Sequence, residues 1–128
     1  MNQLMETEIN VITEKIIGAA YTVSNTLGAG FLEKVYENSL VIELKKQGLS
    51  VEQQKPLNVY YDNKLVGEYV ADIIVENNIV IEIKAAKTID NSHQAQLINY
   101  LKTCNKKYGL IINFGKPKVE IKRMIHGY

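Results

Sequence analysis

The sequence predicts an α/β fold in which a mixed β-sheet is flanked by helices. Two observations lead to this prediction. The first third of the chain repeats apolar residues at the helical period, whereas the centre changes to short β-branched segments that are typical of strands. Near the end, one helical segment separates two strand-like segments, and that passage needs a crossover, so the sheet should contain both parallel and antiparallel pairs. The predicted order of elements is ααβββαββ.

Two helices are predicted at the start of the chain. Apolar residues at three- and four-residue steps predict an amphipathic helix over residues 3–26, and Gly28-Ala29-Gly30 breaks it. A second helix is marked by apolar residues from Leu32 to Leu44 and ends at Gly48.

The strand-like segments follow, with one further helix among them. Asp90 or Asn91 is a suitable N-cap for a helix that runs to Cys104. Short polar turns separate the apolar segments on either side of it. The predicted strands are Leu57–Tyr61, Leu65–Val75, Ile79–Ala85, Tyr108–Phe114 and Val119–Ile125.

Length and composition predict one soluble domain over residues 1–128. No apolar run approaches the ~18 residues of a membrane helix, and the N-terminus lacks the regions of a signal peptide. Cys104 is the only cysteine, which suits a reducing cytoplasm. With one cysteine and two histidines, a zinc site made only of N and S ligands is disfavoured. Any metal should therefore be held by oxygen, which favours Mg²⁺ or Mn²⁺.

The small net charge of +1 hides an asymmetry along the chain. Residues 1–79 carry 6 Lys and Arg against 11 Asp and Glu, a balance of −5, whereas residues 80–128 carry 9 against 3, a balance of +6. A basic half suits a phosphate-bearing partner, although solvated surface lysines would produce the same count.

Three charged residues interrupt two apolar strands that are predicted to pair as a hairpin. Asp72 lies on the first arm, and Glu82 and Lys84 lie on the second. Because strand side chains alternate between faces, Glu82 and Lys84 should point the same way, opposite to Ile81 and Ile83. Two carboxylates beside an amine can hold a divalent metal and a water. A charged solvent face of an edge hairpin is the alternative, and the short pattern by itself does not decide between them.

This arrangement resembles the PD-(D/E)xK nuclease superfamily, whose fold is of the restriction-endonuclease type. The segment Gly30-Phe31-Leu32-Glu33-Lys34-Val35-Tyr36 is similar to the signature of the GxxExxY family, a branch of that superfamily. Further matching segments are the one around Asp72, Glu82-Ile83-Lys84-Ala85, Gln96-Leu97-Ile98-Asn99-Tyr100, residues 109–115, and Lys122-Arg123. Ala71 departs from the superfamily name, which implies Pro at that position.

The resemblance implies a set of site residues, and their chemistry suits phosphodiester hydrolysis. Asp72 and Glu82 are hard oxygen donors for Mg²⁺ or Mn²⁺. The resemblance implies that the Ile83 carbonyl completes part of the coordination and that Glu33 turns toward the same cluster. Lys84 would orient or activate the water, or stabilise the developing negative charge. An internal ion pair without other function is the structural alternative for these charges.

Other residues of the resemblance have two possible roles each. Tyr36 lies one helical turn after Glu33, where it either packs in the core or contributes to nucleic-acid binding. Gln96 and Tyr100 lie four residues apart on one helix face and resemble the QxxxY motif, in which both side chains line the active site. The alternative is that both are polar side chains along one side of the helix, without a role in an active site.

The sequence therefore predicts a metal-dependent nuclease that acts on a nucleic acid, with DNA preferred over RNA by analogy. Binding is assigned to basic residues of the second half, principally Lys122, Arg123 and Lys87. A silent nucleic-acid-binding module and a protein-interaction or regulatory subunit are the alternatives. So short a chain has little room for a targeting domain, so a homodimer or another protein partner is expected to provide specificity.

Overall fold

The computed structural model describes residues 4–127. Its elements occur in the predicted order, and the α/β prediction is confirmed. The elements are α1 Glu6–Leu27, α2 Glu33–Lys46, β1 Val51–Tyr61, β2 Lys64–Val75, β3 Ile79–Lys84, α3 Asn91–Cys104, β4 Tyr108–Asn113 and β5 Glu120–Ile125.

The five strands form one mixed sheet in the order β1-β2-β3-β4-β5. Strands β3 and β4 pair in parallel, and the other three pairs are antiparallel. Helix α3 is the crossover between the two parallel strands, as the strand–helix–strand passage predicted.

Apolar side chains cover both faces of the sheet. One face packs against α1 and α2, and Ile79, Ile81 and Ile83 of β3 point into that core. Val80 points into the second core, which lies between the sheet and α3. This alternation leaves Glu82 and Lys84 on the face of α3, which confirms the prediction that they point opposite to the isoleucines.

Strand β1 begins earlier than the sequence predicts. It starts at Val51, which pairs with Val75, rather than at Leu57. The residues between are polar and include Pro56, a composition that disfavours a strand inside a sheet. They form a strand because β1 is the edge of the sheet, where one side of the backbone needs no partner strand.

Asp90 caps α3, as predicted. Its Oδ1 accepts hydrogen bonds from the amides of Ser92 at 2.9 Å and His93 at 3.1 Å, and Nδ1 of His93 accepts one from the Asp90 amide at 3.2 Å. The imidazole therefore belongs to the cap of the helix. Within residues 4–127, no helix has the length and apolar character to cross a membrane.

The segment after β3 is fastened to the ends of β4 and β5. The Asn113 side chain accepts from the Ala86 amide at 2.9 Å, and it donates to the Ala86 carbonyl at 3.0 Å and to Glu120 at 3.1 Å. Gly115 is needed beside it, because a Cβ there would lie only 2.3 Å from the Ala86 carbonyl oxygen. These contacts hold in place the backbone of the segment that directly follows Lys84.

Candidate active site

Strands β2 and β3 separate at the two acidic residues. Their regular pairing runs from Val75↔Ile79 to Ile73↔Ile81 and stops before Asp72 and Glu82. Beyond it, the Asp72 amide donates to Oε2 of Glu82 at 3.0 Å, and the amide of Ile83 donates to Oδ2 of Asp72 at 2.8 Å. The two side chains thus satisfy backbone amides that the ladder leaves without a carbonyl partner.

Burial, and then the charges of neighbouring carboxylates, raise the pKa values of both Asp72 and Glu82. The Glu82 side chain is only 5% exposed; burial, and then the Asp72 charge, raises its pKa to about 8. The amide hydrogen bond and the Lys84 charge oppose that rise only in part. The pKa of Asp72 is also raised, first by burial and then by the charge of Glu37, against the hydrogen bond from Ile83.

Lys84 contacts α3 rather than the carboxylates. Its Nζ donates to Oε1 of Gln96 at 3.3 Å. The salt bridges of the described chain do not include Lys84, so the internal ion pair that the sequence left as an alternative is not formed. The Lys84 ammonium group is close enough to Glu82 to lower the pKa of that carboxyl. Because it forms no salt bridge, it can still contact a bound ligand.

Gln96 and Tyr100 extend this contact along α3. Nε2 of Gln96 donates to the Tyr100 hydroxyl at 2.9 Å, which completes a chain from Lys84 through Gln96 to Tyr100. Tyr100 is 6% exposed, and burial followed by the Glu82 charge raises its pKa. The structure therefore brings the predicted QxxxY pair to the predicted lysine.

Glu37 is a further acidic residue near Asp72 that sequence reasoning missed. It is 3% exposed, and its carboxylate receives Lys34 at 3.2 Å, Gln53 at 2.6 Å and Gln54 at 3.0 Å. The available signal was its helical position. Glu37 lies beside Tyr36 and three residues before Leu40, on the part of α2 that faces the core, where a carboxylate needs several donors.

Gln54 links Glu37 to Asp72. Its Nε2 lies 3.0 Å from both Glu37 oxygens and 3.3 Å from Oδ1 of Asp72. Its φ of 55° places a non-glycine residue in the left-handed region, opposite Asp72 in the hairpin. At the same level β2 changes face, since Ile73 packs under α1 and α2 whereas Ala71 packs under α3. The irregular backbone aims the Gln54 amide at the two carboxylates.

The two predicted residues at the start of α2 differ in their surroundings. Glu33 is exposed at the first position of the helix, and its charge contributes to the raised pKa of Asp72. Tyr36 is fully buried; its hydroxyl donates to the Gly28 carbonyl at 2.6 Å, and its ring stacks on Phe114 at 4.7 Å. The prediction that Tyr36 binds nucleic acid is therefore wrong, because the ring has no free surface.

The predicted basic residues do not form one patch. Lys122 pairs with Ile111, which pairs with Glu82, so this exposed lysine is in line with the carboxylates on the α3 face. Arg123 points to the opposite face, where it donates to Oδ1 of Asn10 at 3.0 Å. Lys87 is exposed on the segment that follows β3. The sequence prediction grouped Lys122 and Arg123 as one binding surface. Because side chains alternate along β5, the two residues lie on opposite faces of the sheet, and that grouping is corrected.

The oxygen donors at the separated strands suit a hard divalent cation. Within residues 4–127, no three acidic, histidine or cysteine side chains lie close enough together to hold a metal. The carboxylates of Asp72 and Glu82, with the backbone carbonyl of Ile83, the residue after Glu82, nevertheless have the chemistry that Mg²⁺ and Mn²⁺ prefer. A cation beside them would favour the ionised carboxylates and so offset the burial and the neighbouring negative charges that raise both pKa values.

Comparison with known protein families agrees with this geometry. The sequence profile of the PD-(D/E)XK nuclease superfamily matches residues 10–124, a range that includes Asp72, Glu82 and Lys84. The chain belongs to the PD-(D/E)XK nuclease superfamily. A search among curated proteins found no significant match.

Two solved structures are similar to this fold. The crystal structure of SSO0001 aligns with a TM-score of 0.59 at 21% identity over 96% of this chain, which spans 60% of the length of that protein. An alkaline exonuclease, LHK-Exo from Laribacter hongkongensis, aligns with a TM-score of 0.50 at 11% identity and covers 98% of this chain and 73% of its own. At these identities, both show the fold.

Proposed function

We propose that this protein is a metal-dependent nuclease that hydrolyses phosphodiester bonds in DNA. The observation that carries the proposal is the pair of carboxylates, half-buried Asp72 and buried Glu82, at the point where β2 and β3 separate. Membership in a nuclease superfamily supports the reaction class. The similarity of residues 30–36 to the GxxExxY signature supports assignment to that branch, in a single domain.

The carboxylates have the role of metal ligands in this proposal. Asp72, Glu82 and the Ile83 carbonyl would hold Mg²⁺ or Mn²⁺, which, when bound, supplies charge stabilisation at the phosphate and a more acidic water. Each carboxylate keeps one oxygen in a backbone hydrogen bond, Oδ2 of Asp72 and Oε2 of Glu82. Those hydrogen bonds orient the two side chains, in the same way that hydrogen bonds to neighbouring groups orient metal-ligating side chains in other proteins. Glu33 is proposed to face the same cluster, at its solvent side.

Lys84 is proposed to act on the reacting groups. Its ammonium group lies on the same face as Glu82 and makes no ion pair with it, so it can orient the attacking water or stabilise the developing charge. Gln96 holds the ammonium group through Oε1, and Tyr100 holds Gln96. These two residues position Lys84 and line the space beside it.

The proposed substrate and setting follow from charge and cysteine content. The exposed Lys122 lies on the face of the carboxylates, and Lys87 follows the strand that carries Lys84, so both are suited to contact phosphates. The lone thiol of Cys104 suits a reducing cytoplasm. Sequence specificity is proposed to come from a homodimer or another protein partner.

A cleavage assay on labelled single- and double-stranded DNA with Mn²⁺ tests the proposal. Lys84→Ala should retain metal and DNA binding, while the cleavage rate falls by ~10² or more. Lys46→Ala is the control and should cleave as wild type does, since it removes an exposed lysine at the end of α2, on the other side of the sheet. Equal cleavage by Lys84→Ala and wild type would refute the assigned mechanism. Binding of metal and DNA without any cleavage by wild type would identify a binding module instead.

A further inference from the structure

A shallow groove of about 330 Å³ lies directly beside the candidate active site. It is open to solvent between the α3 surface and strand β2. Two of its lining residues, Gln96 and Tyr100, are the ones that contact Lys84 in a chain of hydrogen bonds. A group in this groove would therefore be the next neighbour of a phosphate held at the carboxylates. The groove is lined by Tyr69, Ser92, Ala95, Gln96, Asn99 and Tyr100.

Tyr69 forms the β2 wall of the groove and is one of the lining residues that the predicted site did not include. It pairs with Leu57 in the hairpin and is 47% exposed. Its ring lies 5.3 Å from that of Tyr100, at an angle of 35°, so one side of Tyr69 is supported. Tyr100 is almost buried, which leaves the Tyr69 ring as the aromatic surface that a ligand can reach.

We propose that Tyr69 stacks on an unpaired base of the substrate next to the phosphate at the active site, and so favours single-stranded over duplex DNA. This inference rests on the proposed nuclease function. A base inside a duplex is already stacked on its neighbours, whereas an unpaired base has a free aromatic face for a tyrosine. The exposed amide of Asn99 on the groove wall offers both a donor and an acceptor to the edge of such a base.

The charges around the groove favour a nucleotide over an apolar peptide. Lys84 lies at the end shared with Gln96, where it can meet the phosphate attached to the stacked base. The walls are amide, hydroxyl and tyrosine side chains, with Ala95 as the one aliphatic residue. Aromatic stacking flanked by polar groups is the pattern that single-strand binding proteins use.

The test compares Tyr69→Leu, which keeps apolar bulk without a ring, with Tyr69→Phe, which keeps the ring. Tyr61→Leu is the matched control, because Tyr61 lies at the tip of the same hairpin, where it pairs with Lys64 and is 76% exposed. Affinity for a labelled single strand and for its duplex is measured with Mn²⁺ in a Lys84→Ala background, in which cleavage is slow compared with the binding measurement. Melting temperatures verify that each variant is folded.

Tyr69→Leu should weaken single-strand binding by about 5- to 100-fold, the range for loss of one stacked base. Tyr69→Phe and Tyr61→Leu should change it by about twofold at most, and duplex affinity should stay the same in all three. When 2-aminopurine replaces each base of the single strand in turn, its fluorescence should be quenched at one position. The quenching should occur with Tyr69 and with Tyr69→Phe, and it should be absent with Tyr69→Leu. Equal single-strand affinity of Tyr69→Leu and Tyr61→Leu, or an equal loss for duplex, would overturn the inference.

Cleavage by the protein with Lys84 intact separates this inference from the proposed function. If wild type cuts DNA and Tyr69→Leu keeps the same preference between strands, the stacking inference fails and the nuclease proposal stands. If wild type cuts nothing while the quenching still depends on the Tyr69 ring, the nuclease proposal fails and the stacking site stands. Absence of any binding to the single strand overturns the stacking site.

Discussion

The Asp72 amide donates a hydrogen bond to Oε2 of Glu82 at 3.0 Å, at the level where β2 and β3 stop pairing. The register Ile73↔Ile81 would place Asp72 opposite Glu82 if the ladder continued. The strands instead separate, and two carboxylates occupy the gap. Burial of like charges side by side costs stability, as functional sites often do, and a positive ligand can recover it.

The first prediction concerns the pH dependence of stability. Because the folded-state pKa of Glu82 is about 8, above its unfolded value of 4.5, the folded protein binds an extra proton between these two values. Its free energy of unfolding should therefore fall as pH rises from 5 to 8 without metal. In Glu82→Gln, whose amide oxygen can still accept from the Asp72 amide, the decrease in the free energy of unfolding between pH 5 and 8 should be smaller by about 2–4 kcal/mol.

Urea unfolding in EDTA at a series of pH values measures this effect. At pH 8 the Gln variant should be at least as stable as wild type. A clear loss of stability at pH 8 would contradict the view that the ionised Glu82 opposes folding. Glu43→Gln, at the surface ion pair with Lys46, is the control and should leave the pH profile of wild type unchanged.

The second prediction concerns the metal. Mn²⁺ should raise the melting temperature by roughly 5–10 °C at a hundredfold excess over its dissociation constant, since a ligand of the folded state stabilises it. Asp72→Asn should remove most of that rise, because the amide is a poorer ligand and carries no charge. Thermal denaturation with and without EDTA makes the measurement, and an equal rise in the variant would place the ion elsewhere.

The third prediction isolates the backbone strain at Gln54. Gln54→Gly and Gln54→Ala both remove the amide that contacts Glu37 and Asp72, but only Gly adopts a φ of 55° without steric cost. The Gly variant should be more stable than the Ala variant by about 1 kcal/mol, the reverse of the usual order in a strand.

Chemical denaturation of the two variants compares them directly. Both should cleave DNA more slowly than wild type if Gln54 helps to orient Asp72. If the Gln54→Ala variant is as stable as the Gln54→Gly variant, or more stable, the left-handed backbone conformation at residue 54 relaxes when the glutamine side chain is removed.

The fourth prediction separates two neighbouring basic residues. Lys122→Glu should weaken DNA binding strongly and lower the slope of log K against log salt by about 1 or more, since the lysine lies on the face of the carboxylates. Arg123→Glu should have a much smaller effect, because its guanidinium contacts Asn10 on the other face. Salt titrations of both variants measure the difference, and equal effects would mean that DNA contacts both faces.

Local patterns in the sequence determined the elements and part of the site. Helical and strand periods predicted the order ααβββαββ, because each depends on residues only a few positions apart. The Asp90 cap followed from the same kind of short-range rule. Alternation along β3 correctly placed Glu82 and Lys84 on one face, since side-chain direction in a strand is a local property.

The tertiary structure decided which distant groups meet. Glu37 and Gln54 join the site through contacts across 17 and 18 positions of sequence, and a helical period cannot reveal a contact of that kind. The same holds for Tyr69, whose ring meets Tyr100 only after the hairpin has folded onto α3. The burial of Tyr36 against Phe114 is likewise a product of packing. Sequence patterns encode which way each side chain points within its element, and assembly of the sheet and helices determines what it touches.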